Sequence, residues 1–200
     1  MVSTHSCASI CNCKLDIFHV RITRVTTKTG DMGETSLGTG TRVRKDHPRV
    51  SVLGDLDHLN SIIGWTICSC VNSHLAGELK NIQQDIFNIS GDISLPYTES
   101  KLLKKERLDA IEEHIDKITK KIPPLREFIL PGGSEFISRL HIARTSCRKA
   151  ERSLVSMYNN EDFNELHAKY INRLSDYLFL FARLVNHNEG AEEEHWMLDK

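Results

Sequence analysis

From Pro48 to His187 the chain repeats one pattern five times: apolar residues recur every three or four positions, then proline, glycine or a polar cluster cuts the run off. That period places positions i, i+3, i+4 and i+7 on one side of an α-helix, so each segment must bury a side against another helix. In the first segment, opening at Pro48, the side is Val50, Leu53, Leu56, Leu59, Ile63 and Ile67. The second, from about Ala76 to Leu95, carries Leu79, Ile82, Ile86, Phe87, Ile89 and Ile93 and stops at Pro96. The third, roughly Ser100 to Ile122, sets Leu103, Leu108, Ile111, Ile115 and Ile118 among lysines and glutamates and ends at Pro123-Pro124. The fourth begins after Pro131-Gly132-Gly133, where Ser134 is expected to supply an N-cap oxygen, and runs through Arg152. The fifth extends from about Phe163 to His187. Five helices with short connectors predict an all-α, five-helix bundle, and 200 residues with 40% hydrophobic content suit a single core.

Two of these helices carry polar stripes that packing alone does not require. On the fourth, His141, Arg144, Arg148 and Glu151 follow at spacings of three, four and three, beside the apolar side of Leu140, Ala143, Cys147, Ala150 and Leu154. Two arginines one turn apart form a fork for a polyanion. The plainer alternative is a solvated basic face in which Arg144, Arg148, Lys149 and Arg152 are tied to Glu151. On the fifth, Leu166, Leu174, Leu178, Phe181 and Val185 can pack while Asn172, Asp176, Phe179 and Arg183 trace another stripe. Asp57 and Asn60 lie a turn apart on the first helix, and spacing alone reads them as an exposed carboxylate and a packing amide.

Ahead of the bundle, His19 to Val25 alternates like a short extended segment. Between Thr26 and Leu37, Gly30 and Gly33 sit among hydroxyls and Lys28, a composition that lets backbone N–H groups turn toward an anion. Arg42, Arg44 and Lys45 follow closely and favour phosphate. No Gly-Lys-Ser/Thr follows the glycines, so this is not a Walker A loop, and a simple hairpin is the alternative.

With 26 basic and 27 acidic residues the net charge is −1, which gives no global argument for nucleic acid or a membrane surface. No apolar run approaches the ~18 residues that span a bilayer, and the first residues resemble neither a secretory signal nor a transit peptide. Of the cysteines at 7, 11, 13, 68, 70 and 147, Cys68 and Cys70 point in different directions on a helix, so a reduced, cytoplasmic protein is expected. His5, Cys7, Cys11 and Cys13 lack a matching second ligand pair for zinc. A di-iron bundle would need paired Glu-x-x-His motifs, and only Glu192-Glu-Glu-His195 fits, in the tail.

In order along the chain, Thr27-Lys-Thr-Gly-Asp-Met-Gly-Glu-Thr-Ser-Leu37, Gly54-Asp-Leu-Asp-His-Leu-Asn60, Phe128-Ile-Leu-Pro-Gly-Gly133, Leu140-His-Ile-Ala-Arg144 with Arg148-Lys-Ala-Glu-Arg152, and Asn172-Arg-Leu-Ser-Asp-Tyr177 resemble the successive motifs of the PduO-type ATP:cob(I)alamin adenosyltransferases. The similarity runs from about Arg21 to Arg183. It implies a ferritin-like five-helix bundle preceded by an N-terminal phosphate-binding loop, assembled as a homotrimer with active sites between subunits. It also implies a reaction in which Co(I) of a reduced corrinoid attacks C5′ of ATP, with Mg²⁺, and inorganic triphosphate leaves. A flavin-type reductase and a cobalamin-dependent enzyme are the implied protein partners, with no nucleic acid or membrane. The alternative is a silent bundle that binds nucleotide or carries finished corrinoid.

Carried over by position, the resemblance assigns the triphosphate to Thr27, Lys28, Thr29, Gly30, Asp31, Gly33, Thr35, Ser36 and Lys45, together with Arg148, Lys149, Glu151 and Arg152 across the interface, and brings Asn172 to the nucleotide. Arg144 pairs with Asp57 to brace the site, and these two with Arg148 make the catalytic set. Phe128 and Phe179, with Asp57, meet the corrinoid, the two rings excluding its axial base to leave a four-coordinate Co(II) that is easier to reduce. No protein metal ligand is assigned. Met32 replaces a frequent lysine, His58 a glutamate and Lys149 an arginine. The expected organisation is a flexible extension over 1–20, one domain over 21–188 with the ATP-binding segment at 21–46 and the bundle at 47–188, and an acidic tail at 189–200.

Overall fold

The computed structural model describes residues 26, 28–98, 101–159 and 161–197. The N-terminal extension, the extended segment at His19–Val25 and Thr27 lie outside the described residues. In chain order these residues form β1 (Glu34–Ser36), β2 (Arg42–Arg44), α1 (Pro48–Ile67), α2 (Ser73–Ser94), α3 (Lys105–Thr119), α4 (Glu135–Tyr158) and α5 (Glu165–Asn188). The two strands make an antiparallel hairpin, Glu34 opposite Arg44 and Ser36 opposite Arg42. The expected five helices are therefore present, with a small hairpin ahead of them.

The helices pack as α2 on α1, α1 on α4, α4 on α5 and α5 on α3. At the centre, Leu56, Leu59 and Ile63 of α1, Leu140, Ala143, Cys147, Ala150 and Leu154 of α4, and Leu174 and Leu178 of α5 are fully buried. The small residues on α4 let α5 come close enough for the Cys147 thiol to donate to the Ile171 carbonyl at 3.3 Å. Burial pushes that thiol well above its usual pKa. Because α1 is covered by both α2 and α4, its buried arc is wider than the sequence suggests and takes in Val52 and Ile62 as well. Phe87, expected in the core, is instead 62% exposed on the outer side of α2.

Helix ends differ from expectation where side chains intervene. Asn72 accepts from the N–H groups of His74 and Leu75, which starts α2 three residues early. Asp92 accepts from the N–H groups of Leu102 and Leu103, so α3 begins only at Lys105. Ser134 occupies the N-cap position of α4, yet its hydroxyl makes no cap bond and donates to Glu189 at 3.3 Å. At α1, Pro48 stands in the first turn and His47 Nδ1 accepts from the Arg49 N–H.

One buried carboxylate is shared by three helices. Asp85 of α2, only 2% exposed, takes three bonds from Arg107 of α3, at 2.8 and 3.0 Å from Nε and 2.8 Å from Nη2, and a 2.6 Å bond from the Tyr170 hydroxyl of α5. The acidic tail is also fixed. Leu130 N–H donates to the Glu194 carbonyl and Trp196 N–H to the Phe128 carbonyl, both at 2.7 Å, while Arg183 holds Glu193 at 2.7 Å. Residues 191–196 thus form an extended strap across the 128–130 segment. No described helix is long and apolar enough to cross a membrane.

Candidate functional site

The loop residues singled out in the sequence gather around the hairpin. Gly33 N–H closes a turn onto the Gly30 carbonyl, and Lys45 N–H donates to the Gly33 carbonyl at 2.8 Å. A Cβ on Gly30 would sit 3.4 Å from the Lys45 ammonium, so the absence of a side chain there lets Lys45 lie over the loop. Arg42 binds inward, to the Thr29 carbonyl at 2.8 Å and to Glu34 and Ser36, while Arg44 pairs with Asp46. Of the three cations that follow the glycines, Lys45 is the one with no ion pair among the described residues. Lys28 takes the left-handed conformation, φ +59°, at the loop's edge. The hairpin is moored by Gly38 N–H, which donates to the Ser94 carbonyl at the end of α2.

The second set lies where α4 and α5 run antiparallel, and the two polar stripes face each other along their length. Glu151 accepts from Asn172 at 2.8 Å at one end. Further along, the guanidinium of Arg144 stands 5.9 Å from the Phe179 ring centroid, and the His141 ring 6.4 Å from it. Arg148 and Arg152 are exposed, and Arg152 donates to the Arg148 carbonyl. Arg144 is half-buried, its Nε has no partner among the described residues, and burial together with Arg148 lowers its pKa. A guanidinium so placed lacks an anion. His141 is buried, and burial with the Arg144 charge holds its imidazole toward the neutral form.

Within one chain the expected Asp57–Arg144 pair does not form. Asp57 is exposed on α1 with no partner among the described residues. The carboxylate that reaches α4 is Asp55, bound by Lys149 at 2.9 Å and by the Ser153 hydroxyl at 2.5 Å. Partial burial opposes ionisation there, but these two bonds hold the Asp55 carboxyl below its usual pKa. Lys149, assigned to nucleotide, is therefore engaged with Asp55. Two positions along a helix are about 200° apart, which is why Asp55 and Asp57 face different neighbours. Asp55 was findable: Val52, Leu59, Ile62 and Thr66 share its side and are buried.

Phe128 is 75% exposed, its ring edge-on to Trp196 at 6.3 Å, beside the strap. Trp196 is the neighbour of Phe128 that the sequence reading left out of the site, and Arg42, read as favouring phosphate, is instead taken up by Thr29, Glu34 and Ser36. No hydrogen bond or ion pair between described residues joins the hairpin at 34–45 to Arg144, Arg148, Arg152 or Asn172. The loop set and the α4–α5 set are thus each assembled, separately, in one chain.

The family description "Cobalamin adenosyltransferase" matches residues 25–185. A cobalamin adenosyltransferase of Cupriavidus metallidurans is 40% identical over 182 residues, covering 90% of this chain and 97% of its own. A corrinoid adenosyltransferase of Bacillus subtilis is 44% identical over 170 residues, covering 82% and 87%. Among solved structures, a variant PduO-type ATP:corrinoid adenosyltransferase from Lactobacillus reuteri, complexed with cobalamin and ATP, has a TM-score of 0.82 at 37% identity and covers 88% of this chain and 100% of that one. On the matched span, the helical architecture and the ordered motifs together, this chain belongs to the cobalamin adenosyltransferase family.

Proposed function

We infer that this chain is an ATP:cob(I)alamin adenosyltransferase: it moves the 5′-deoxyadenosyl group of ATP to Co(I) of a reduced corrinoid and releases triphosphate. The observation that carries the reading is the α4–α5 stripe, where a half-buried Arg144 without an anion stands between the exposed Arg148 and the face of Phe179. Co(I) is itself the nucleophile, so the protein needs no Ser, Cys or His base. Its work is to hold C5′ against the metal and to stabilise charge that gathers on the leaving triphosphate. Arg148 and Arg152 from α4, with Lys28, Lys45 and the N–H groups of the glycine loop, supply that stabilisation. Mg²⁺ belongs to the nucleotide substrate, where it neutralises part of the same charge. Glu151 fixes Asn172 beside the nucleotide. Phe128 and Phe179 form the apolar wall against the corrinoid's lower face and keep an axial ligand away.

The two half-sites support assembly across subunits. A loop set that no hydrogen bond or ion pair joins to the α4–α5 set among the described residues, an exposed Asp57 and an orphaned Arg144 all fit a homotrimer in which one subunit completes its neighbour's site. Cys68, Cys70 and Cys147 are free thiols, which suits the cytoplasm, where a flavin-type reductase would supply the electron and a corrinoid-dependent enzyme would take the product.

The test is an anaerobic assay with cob(I)alamin and MgATP, following adenosylcobalamin by its spectrum alongside triphosphate release. Stoichiometric formation of both is expected, and Arg148→Ala should abolish turnover while leaving corrinoid binding intact. Corrinoid binding without ATP-dependent product from the wild type would leave a carrier instead.

A further inference from the structure

His141 is the member of the α4 stripe for which nucleotide chemistry gives no use. It is 5% exposed, and its Nδ1 is completely buried with no hydrogen-bond partner among the described residues. Buried polar nitrogens are nearly always paired, so an orphan marks a missing partner. The ring lines a pocket of about 130 Å³ bounded by Leu130, Gly132, Gly133, Arg183 and the strap at Glu193. That space holds more than one water, yet is far too small for a corrin macrocycle. An arm of a larger ligand fits it.

The pocket's chemistry selects the kind of arm. Its lining holds one cation, Arg183, against Glu192, Glu193 and Glu194, and that cation is already bound to Glu193 at 2.7 Å and to the Pro123 carbonyl at 3.1 Å, so an anion would meet net negative charge. The Asn186 amide is also engaged, donating to the Ala191 carbonyl at 2.9 Å. No lining cation is left free for an anion, and burial beside the Arg144 cation keeps the His141 imidazole toward its neutral form. Such a site suits an uncharged hydrogen-bonding group. A phosphate or carboxylate would find the exposed Arg148 and Arg152 better. The position also fits: the His141 ring lies 6.4 Å from that of Phe179, and the pocket's outer edge is the Ile129–Leu130 segment next to Phe128. Each aromatic assigned to the corrinoid is thus next to a residue that lines the pocket, Phe179 to His141 and Phe128 to Ile129. A corrin macrocycle carries uncharged acetamide and propionamide arms around its rim.

We propose that His141 is a corrinoid-binding residue whose Nδ1 hydrogen-bonds one peripheral amide of the corrin ring, in the pocket bounded by the 191–195 strap. The assignment rests on the adenosyltransferase reading, and the experiment separates the two. Full-length wild type, His141→Phe and His141→Asn are compared for binding of cob(II)alamin and cob(II)inamide, followed by absorbance, and for KM of MgATP, with Tm measured for each. Cobinamide keeps the ring amides and lacks the nucleotide tail. Expected for His141→Phe is about tenfold weaker binding of both corrinoids with an unchanged KM for ATP. His141→Asn, which places an amide near the Nδ1 position, should recover most of the loss. Unchanged corrinoid affinity in a folded His141→Phe protein overturns the proposal, as does a loss confined to cobalamin, which would put His141 on the nucleotide tail. Equal losses for corrinoid and ATP with a fallen Tm would make the residue structural and overturn it too. A wild type that binds no corrinoid would overturn the adenosyltransferase reading first, and this assignment with it.

Discussion

Removing Asp57 and Arg144 singly and together decides whether the site is built by two subunits. In one chain the two side chains make no pair, Arg144 Nε is buried without a partner, and Asp57 faces outward. If a neighbouring copy brings its Asp57 to this arginine, either truncation leaves a desolvated charge alone, at about 2 kcal/mol or roughly 30-fold in kcat/KM. The double variant should then be little worse than either single one, a coupling of about 2 kcal/mol. The sharper assay mixes the two defective proteins. When Asp57→Ala and Arg144→Ala chains are denatured together in equal amounts and refolded, each site draws its aspartate and its arginine from different chains. Roughly a quarter of the sites should then combine an intact Asp57 with an intact Arg144, and activity should return to about that fraction of wild type. An intrachain arrangement predicts no recovery. Mixed oligomers as inactive as their parents, together with a coupling near zero, would refute the shared site.

Asp55→Asn should destabilise the fold by about 1 to 2 kcal/mol at neutral pH, because it removes the carboxylate that holds Lys149 and Ser153. Since the folded pKa of Asp55 lies below its usual 3.8, its contribution is complete above that value and is lost as pH falls through the folded pKa. The Tm gap between wild type and variant should accordingly close under acid conditions, and a gap that persisted there would remove the charge from the explanation. Gly38→Ala would bring a Cβ to 2.9 Å from Leu95 Cδ2 and 3.1 Å from the Ser94 carbonyl, displacing the hairpin from α2. The KM for ATP should rise several-fold with corrinoid affinity unchanged, as the loop set alone is moved. A proportional loss of both would mean that the hairpin also shapes the corrinoid wall.

The bundle was legible because helical period is a property of each segment by itself. Leu140, Ala143, Cys147, Ala150 and Leu154 recur at the right spacing whatever they touch, and all five are fully buried. Where a prediction needed to know the neighbours, it slipped. Phe87 has the same spacing as its buried companions, but α2 has no helix on that side. Val52 and Ile62 were passed over because a single apolar side was assumed, whereas α1 is covered twice. Ser134 has the right chemistry for a cap, and a glutamate 55 residues away takes its hydroxyl. The fold of the acidic tail was not legible because nothing local orders it, and its order over 191–196 comes from backbone bonds to Phe128 and Leu130 and from Arg183.

The site divides along the same line. The stripes on α4 and α5 were readable from spacing, and the structure sets them face to face. The partners were not readable, because a carboxylate's side of a helix does not say which element or which copy lies there. Asp55 and Asp57 are the clearest case: same residue type, same helix, two positions apart, one fastened to α4 and one unpaired. Most buried polar groups in the described residues are satisfied, so the exceptions carry information. Arg144 Nε and His141 Nδ1 are two of them, on one stripe, one turn apart, both on residues near the Phe179 ring. A helix designed only to pack would have no reason to desolvate an arginine and leave a neighbouring imidazole without a bond. The cost becomes intelligible once each orphan is assigned a partner from outside the chain, a second subunit's carboxylate for the arginine and a substrate amide for the histidine.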